Sequence, residues 1–182
     1  SPKMFDQIQG IPISPLDGWR FHAGHDSTWA SPEINTTSWK KMKPEQVSKN
    51  MADKNGRIEG WFRIKLWIDS SFADMPLYLG KNEWSAIDTY VDGSLFESNG
   101  NTGINGKAFT TPEKTFNAHL SLIHLVPGKE HIIAYHFVNY IPRFTLNLLE
   151  SEIATYPLHL FLTGPKFVEL GNVFFEKSVI YK

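Results

Sequence analysis

Between Arg57 and Asp69 the chain reads RIEGWFRIKLWID, and from Phe62 onward apolar and polar positions alternate. Phe62, Ile64, Leu66 and Ile68 fall on one side, with Arg63, Lys65 and Trp67 on the other. A period of two sends every second side chain to one face of a strand, so this stretch predicts a half-buried strand, with Ile58 and Trp61 joining its apolar set. Pro76–Gly80 (PLYLG) and Ser85–Val91 (SAIDTYV) predict the next two strands. Asp92-Gly93 follows at once, and Ser94-Leu95-Phe96 resumes the apolar pattern. That predicts a tight hairpin, because both central positions of such a turn need positive φ. Ala118–Leu125, His131–Asn139 and Leu158–Leu162 are further strands, the first two separated by a Pro127-Gly128 turn; Phe167–Tyr181 adds one or two closing strands.

Helical signals are short. Pro44–Met51 (PEQVSKNM) predicts about two turns, and Phe144–Ile153 is amphipathic through Leu146, Leu149 and Ile153 but reads equally as strand plus loop. Many short strands, regular turn signals and little helix predict an all-β sandwich. No repeat, low-complexity block or Gly/Ser linker divides the chain, so residues 1–182 read as one domain. That length is enough to bury a core without a staple. Composition adds exclusions. With 18 basic and 19 acidic side chains the formal charge is −1, which leaves no positive field for nucleic acid or an anionic membrane surface. The absence of cysteine excludes disulfides, thiolate catalysis and Cys-type zinc sites. No apolar run reaches the roughly 18–20 residues that span a bilayer.

Two segments go beyond generic β patterning. Asp17–Trp39 reads DGWRFHAGHDSTWASPEINTTSW, and Gly60–Gly100 carries G-W-x-R, L-x-L-G and A-x-D-x-Y-V-D-G in order. They resemble the sugar-binding-type jelly roll of glycoside hydrolase family 2 enzymes, a module also found in many bacterial sensor proteins. The first resemblance rests on Trp19, Phe21, Gly24, Asp26, Trp29, Ala30, Pro32, Ser38 and Trp39. The second rests on Gly60, Trp61, Arg63, Leu77, Leu79, Gly80, Ala86, Asp88, Tyr90, Val91, Asp92 and Gly93; Pro127-Gly128 and Ile132–Val138 stand where the family has a later strand. The sequence departs from the family at Asn35 and Thr36-Thr37, where acidic residues usually precede the Ser-Trp pair. The resemblance covers roughly residues 15–140 and implies a jelly-roll β-sandwich of galactose-binding-like type with a few short helices.

Candidate chemistry is sparse. Of the seven histidines, His22 and His25 are three apart beside Asp26, but in a turn-prone stretch where ordinary turn and surface roles are expected. His119 and His124, like His131 and His136, are five apart and face opposite sides of a regular strand. No HExxH or facial-triad spacing appears, and neither a Gly-x-Ser-x-Gly elbow nor a phosphate loop. Asp88 reads as a fold residue that holds a neighbouring loop or pairs with a cation such as Arg63. The expectation is a protein that binds without catalysing, with no cofactor; a structural calcium ion on Asp17, Asp26 or the Asn/Asp turns stays open.

Ligand-binding candidates come from loops that mix aromatic, Asn and Arg side chains: Asn82 and Trp84 before the hairpin, Asn99 and Asn101 after it, and Arg143 behind Tyr140-Ile141-Pro142. In related family 2 modules the post-hairpin loop can reach toward a sugar, which favours Asn99 and Asn101; the alternative is a plain polar loop. Arg143 can meet an anionic ligand or a second subunit, so a homodimer stays open. Trp19, Trp29, Trp39 and Trp61 are expected in the core, and Trp84 in core or site. The Trp-rich opening is most similar to the periplasmic N-terminal domain of sensor histidine kinases and diguanylate cyclases. The start at Ser1-Pro2-Lys3 suggests a fragment from which membrane segments are missing. The leading expectation is a periplasmic or extracellular sensor domain of a membrane-anchored two-component or similar receptor, binding a small ligand, a saccharide or a partner protein. The alternative is a non-catalytic carbohydrate-binding module of a glycoside hydrolase or esterase.

Overall fold

The computed structural model describes residues 11–13, 16–73, 76–82, 85–103, 108–110, 119–140, 159–163 and 179–181. Its strands are β1 (Ile11–Pro12), β2 (Arg20–Ala23), β3 (Lys40–Lys41), β4 (Arg57–Ile68), β5 (Leu77–Asn82), β6 (Ala86–Val91), β7 (Ser94–Asn99), β8 (His119–Ile123), β9 (Lys129–Tyr140), β10 (His159–Thr163) and β11 (Val179–Tyr181). They form two antiparallel sheets. One runs β1-β10-β5-β8; the other runs β3-β2-β4-β9-β6-β7, with β11 also on β4. The spine is β4 against β9, paired without a break from Arg57↔Tyr140 to Ile68↔Lys129.

The alternation read from the sequence decides which side of this spine is core. Ile58, Phe62, Ile64, Leu66 and Ile68 of β4, with Ile133, Tyr135 and Phe137 of β9, point inward and are buried. They meet Leu77 and Leu79 of β5 and Ile123 of β8 from the other sheet, which makes the sandwich. Trp19 closes one end of this core, its indole N–H donating to the Ile13 carbonyl at 2.8 Å. Gly60 must be glycine: a Cβ there would lie 2.4 Å from the Phe21 ring and 2.9 Å from the His22 carbonyl.

The hairpin forms where the sequence predicts it. Asp92 and Gly93 both take positive φ (48° and 83°) between β6 and β7. Asp92 then reaches across the turn, accepting from the Ile132 N–H at 2.8 Å and meeting buried His131 Nδ1 at 2.7 Å. His131 turns inward and His136 outward, as their odd spacing requires. Pro44–Met51 differs from expectation. It is two separate 3₁₀ turns, Pro44–Gln46 and Lys49–Met51, with Val47 and Ser48 extended between them. A segment this short gains too few hydrogen bonds to offset helix nucleation, and a β-branched residue sits in its middle. The amphipathic stretch 144–153 lies outside the described residues, as does the closing segment except for β11.

Candidate functional site

The outer face of the larger sheet is where apolar and polar chemistry meet. Trp61 of β4 and Ala134 and His136 of β9 point away from the sandwich core, yet all three are buried. The cover is residues 24–39, which leave β2, cross the sheet as a 3₁₀ turn (Ser27–Ala30) and return to β3. Asp26 starts that turn by accepting from the Thr28 N–H and hydroxyl at 2.9 and 2.7 Å; these hydrogen bonds hold its carboxyl below the usual range. Ala30 and Trp39 then pack with Trp61 and Ala134, and Trp29, Ile34 and Tyr90 flank them. Burial and the charge of Asp88 push the Tyr90 phenol up.

Arg63 fastens this cover. Its Nη1 donates to the carbonyls of Trp29 and Ser31, the latter at 2.8 Å, while only 4% of the residue is exposed. Burial pushes the guanidinium down. The expected alternative, Arg63 paired with Asp88, does not occur. Asp88 takes the other expected role and holds the loop after the hairpin, accepting from Ser98 and Thr102 hydroxyls at 2.6 Å each.

Next to Arg63 lies a groove of about 200 Å³ lined by Arg20, Arg63, Lys65, Thr36, Thr37 and Ile34, among others. Strand register explains the concentration of cations. Arg20 stands opposite Arg63 on one side and opposite Lys41 on the other, so three cations lie in a row across β3, β2 and β4. Like charges directly opposite one another destabilise a sheet. Among the described residues no carboxylate pairs with Arg20, Lys41 or Arg63; Lys65 is already bound to Glu130 at 3.0 Å.

A second polar cluster lies at the other end of the cover. The Gly24 N–H donates to the Glu59 carbonyl at 3.2 Å, so the β2–β4 pairing continues one residue and sets His25 beside Glu59. His136 is diagonal to Glu59 across the β4–β9 register. One carboxylate oxygen of Glu59 meets His25 Nδ1 at 3.1 Å and His136 Nε2 at 3.0 Å; the other accepts from Arg57 Nε at 3.1 Å and lies 2.9 Å from Arg57 Nη2 as an ion pair. Burial alone would raise the Glu59 carboxyl, but hydrogen bonds from His136, Arg57 and His25 and the charge of Arg57 lower it to about 2. Arg57 also donates to the Tyr140 hydroxyl at 3.1 Å, and Glu59 and Tyr140 outweigh burial to raise its guanidinium.

Those ligand-binding residues singled out from sequence that the structure describes lie outside both clusters. Asn82 ends β5 on the smaller sheet, opposite His159. Asn99 ends β7 opposite Ile87, and Asn101 forms an isolated bridge with Thr110. The Asn101 side-chain oxygen accepts from the Gly103 N–H at 2.9 Å, so it shapes its own turn. Trp84 and Arg143 lie outside the described residues. Of the carboxylates considered for calcium, Asp17 pairs with Lys43 at 2.7 Å and Asp26 caps the 3₁₀ turn. Sequence reasoning missed the groove and the Glu59 cluster. Both depend on cross-strand register; the outward parity of Arg63 and Lys65 hinted at the first, and His25 among the histidines at the second.

No protein-family model and no curated protein matches the chain. Solved structures do. A glycosyl hydrolase family 2 member from Bacteroides cellulosilyticus superposes with a TM-score of 0.57 at 13% identity, covering 86% of this chain and 21% of that one. A β-glucuronidase from Bacteroides uniformis gives 0.56 at 15% identity, over 87% of this chain and 18% of that one. This chain thus spans about a fifth of the length of those structures. What it shares with part of such glycoside hydrolase family 2 chains is an all-β, jelly-roll-like sandwich fold.

Proposed function

We propose that this chain is a non-catalytic carbohydrate-binding sandwich whose ligand is an acidic saccharide held in the groove beside Arg63. The observation that carries the reading is the row of Lys41, Arg20 and Arg63 without a carboxylate partner among the described residues. Arg63 and Arg20 both line this groove, and a planar carboxylate fits the fork of a guanidinium. Thr36 and Thr37 line the same groove, and residues of this type can hydrogen-bond a sugar ring. The net charge of −1 means that attraction for an anion is local to this groove and does not come from the protein as a whole. The fold likeness to parts of family 2 glycosidases, one of the two neighbours above being a β-glucuronidase, supports a saccharide ligand over other anions. The sensor reading of the sequence rests on resemblance alone, and these neighbours favour the module reading.

Isothermal titration of the chain with uronic-acid oligosaccharides and their neutral counterparts tests this. The acidic sugars should bind at least tenfold tighter. Arg20→Ala should cost a further tenfold or more, about 1.4 kcal/mol, with the melting temperature little changed. Equal affinity for acidic and neutral sugars, or for wild type and R20A, overturns the proposal.

A further inference from the structure

We propose that His25, Glu59 and His136 form a zinc site that ties residues 24–39 to the β4–β9 spine, independent of the saccharide reading. The three side chains each offer one ligand atom, and these atoms lie within 4.8 Å of one another. Two of the separations, His25 Nδ1 and His136 Nε2 to one Glu59 oxygen, are 3.1 and 3.0 Å. Donor atoms on a tetrahedral zinc with bonds of ~2.0–2.1 Å stand roughly 3.3 Å apart, so closing on an ion needs only small shifts. Two imidazoles and a carboxylate are a donor set that zinc takes readily, where calcium and magnesium prefer all-oxygen shells.

The surroundings fit a ligand set better than a chance cluster. Arg57 holds the second Glu59 oxygen through a hydrogen bond from Nε and an ion pair with Nη2, which fixes the carboxylate so that its other oxygen faces both histidines. Such outer partners orient metal ligands. His136 is wholly buried between strands, its ring against Trp61 at 5.1 Å and against His25 at 5.6 Å. Its Nδ1 is buried without a hydrogen-bond partner, so the polar use of this buried ring lies at Nε2, inside the cluster. His25, by contrast, is 44% exposed in its side chain, so an ion can enter from solvent and keep its fourth position for water or a ligand group.

The ligands come from three places: His25 from the cover just past β2, Glu59 from β4 and His136 from β9. Binding there would resist peeling of the cover from the sheet. The test uses the chain stripped with chelator and then titrated with zinc chloride and, in parallel, cobalt chloride. The expected result is one equivalent of zinc, a higher melting temperature, and the intense visible bands of four-coordinate cobalt. His25→Ala should weaken zinc by at least the roughly 10–100-fold that loss of an outer partner costs, and in chelator it should stay folded with only the modest drop in melting temperature that losing its contact with Glu59 implies. His124→Ala, an exposed histidine outside the cluster, should bind as wild type does. The cobalt spectrum and stoichiometry of the wild-type chain decide the matter even if a variant misfolds. No uptake at stoichiometric zinc, an octahedral cobalt spectrum, or unchanged zinc affinity in a folded H25A overturns the proposal.

Discussion

Glu59 sits where burial opposes its charge, yet three neighbouring side chains more than compensate and its carboxyl falls from 4.5 to about 2. A carboxyl depressed by folding contributes stability that is complete above its unfolded value of 4.5 and lost as pH falls toward 2. At ~1.4 kcal/mol per pH unit the contribution reaches up to about 3 kcal/mol. Chemical denaturation in chelator should therefore show Glu59→Gln less stable than wild type near neutral pH. The gap should close as the solution is acidified through that window, because wild type loses what the variant never had. A gap that stays constant through the acid range means the carboxylate is not held by charge in the folded state.

Arg63 does at the scale of elements what a disulfide does elsewhere: it joins an irregular crossing to a regular strand, through the Trp29 and Ser31 carbonyls. Hydrogen bonds from a charged donor are worth roughly 1.5–3 kcal/mol each. Arg63→Met should lower amide-exchange protection of residues 27–39 by at least tenfold while the paired amides of β4 and β9 keep theirs. Equal loss in both would show that the cover and the spine open as one unit. The elements themselves were largely legible. Alternation from Phe62 to Ile68 located β4 and its inward face, and Asp92-Gly93 located the hairpin, because both signals are local. The site was not local. Arg20 meets Arg63, and Glu59 meets His136, only through strand register, which no spacing within one strand reveals. At Asn101 the local signal served a turn as well, its side-chain oxygen accepting from the Gly103 N–H.

At the scale of the whole molecule, the main apolar core and the proposed ligand groove lie on opposite faces of one sheet. Inward residues such as Phe62 and Tyr135 meet Leu79 of the facing sheet, whereas the groove and the Glu59 cluster open on the outer face. β4 and β9 belong to both layers and alternate between them residue by residue. Leu79 is fully buried, on the strand layer farthest from that outer face. Leu79→Ala should cost about 2–5 kcal/mol of folding stability through the cavity it leaves. At a temperature where the variant is still folded, its affinity for an acidic oligosaccharide should stay within about twofold of wild type, since no groove contact changes and distant sites act independently. A larger loss would mean that packing between the sheets sets the register of β2 and β4 closely enough to aim Arg20 and Arg63, and that the two faces are not energetically separate.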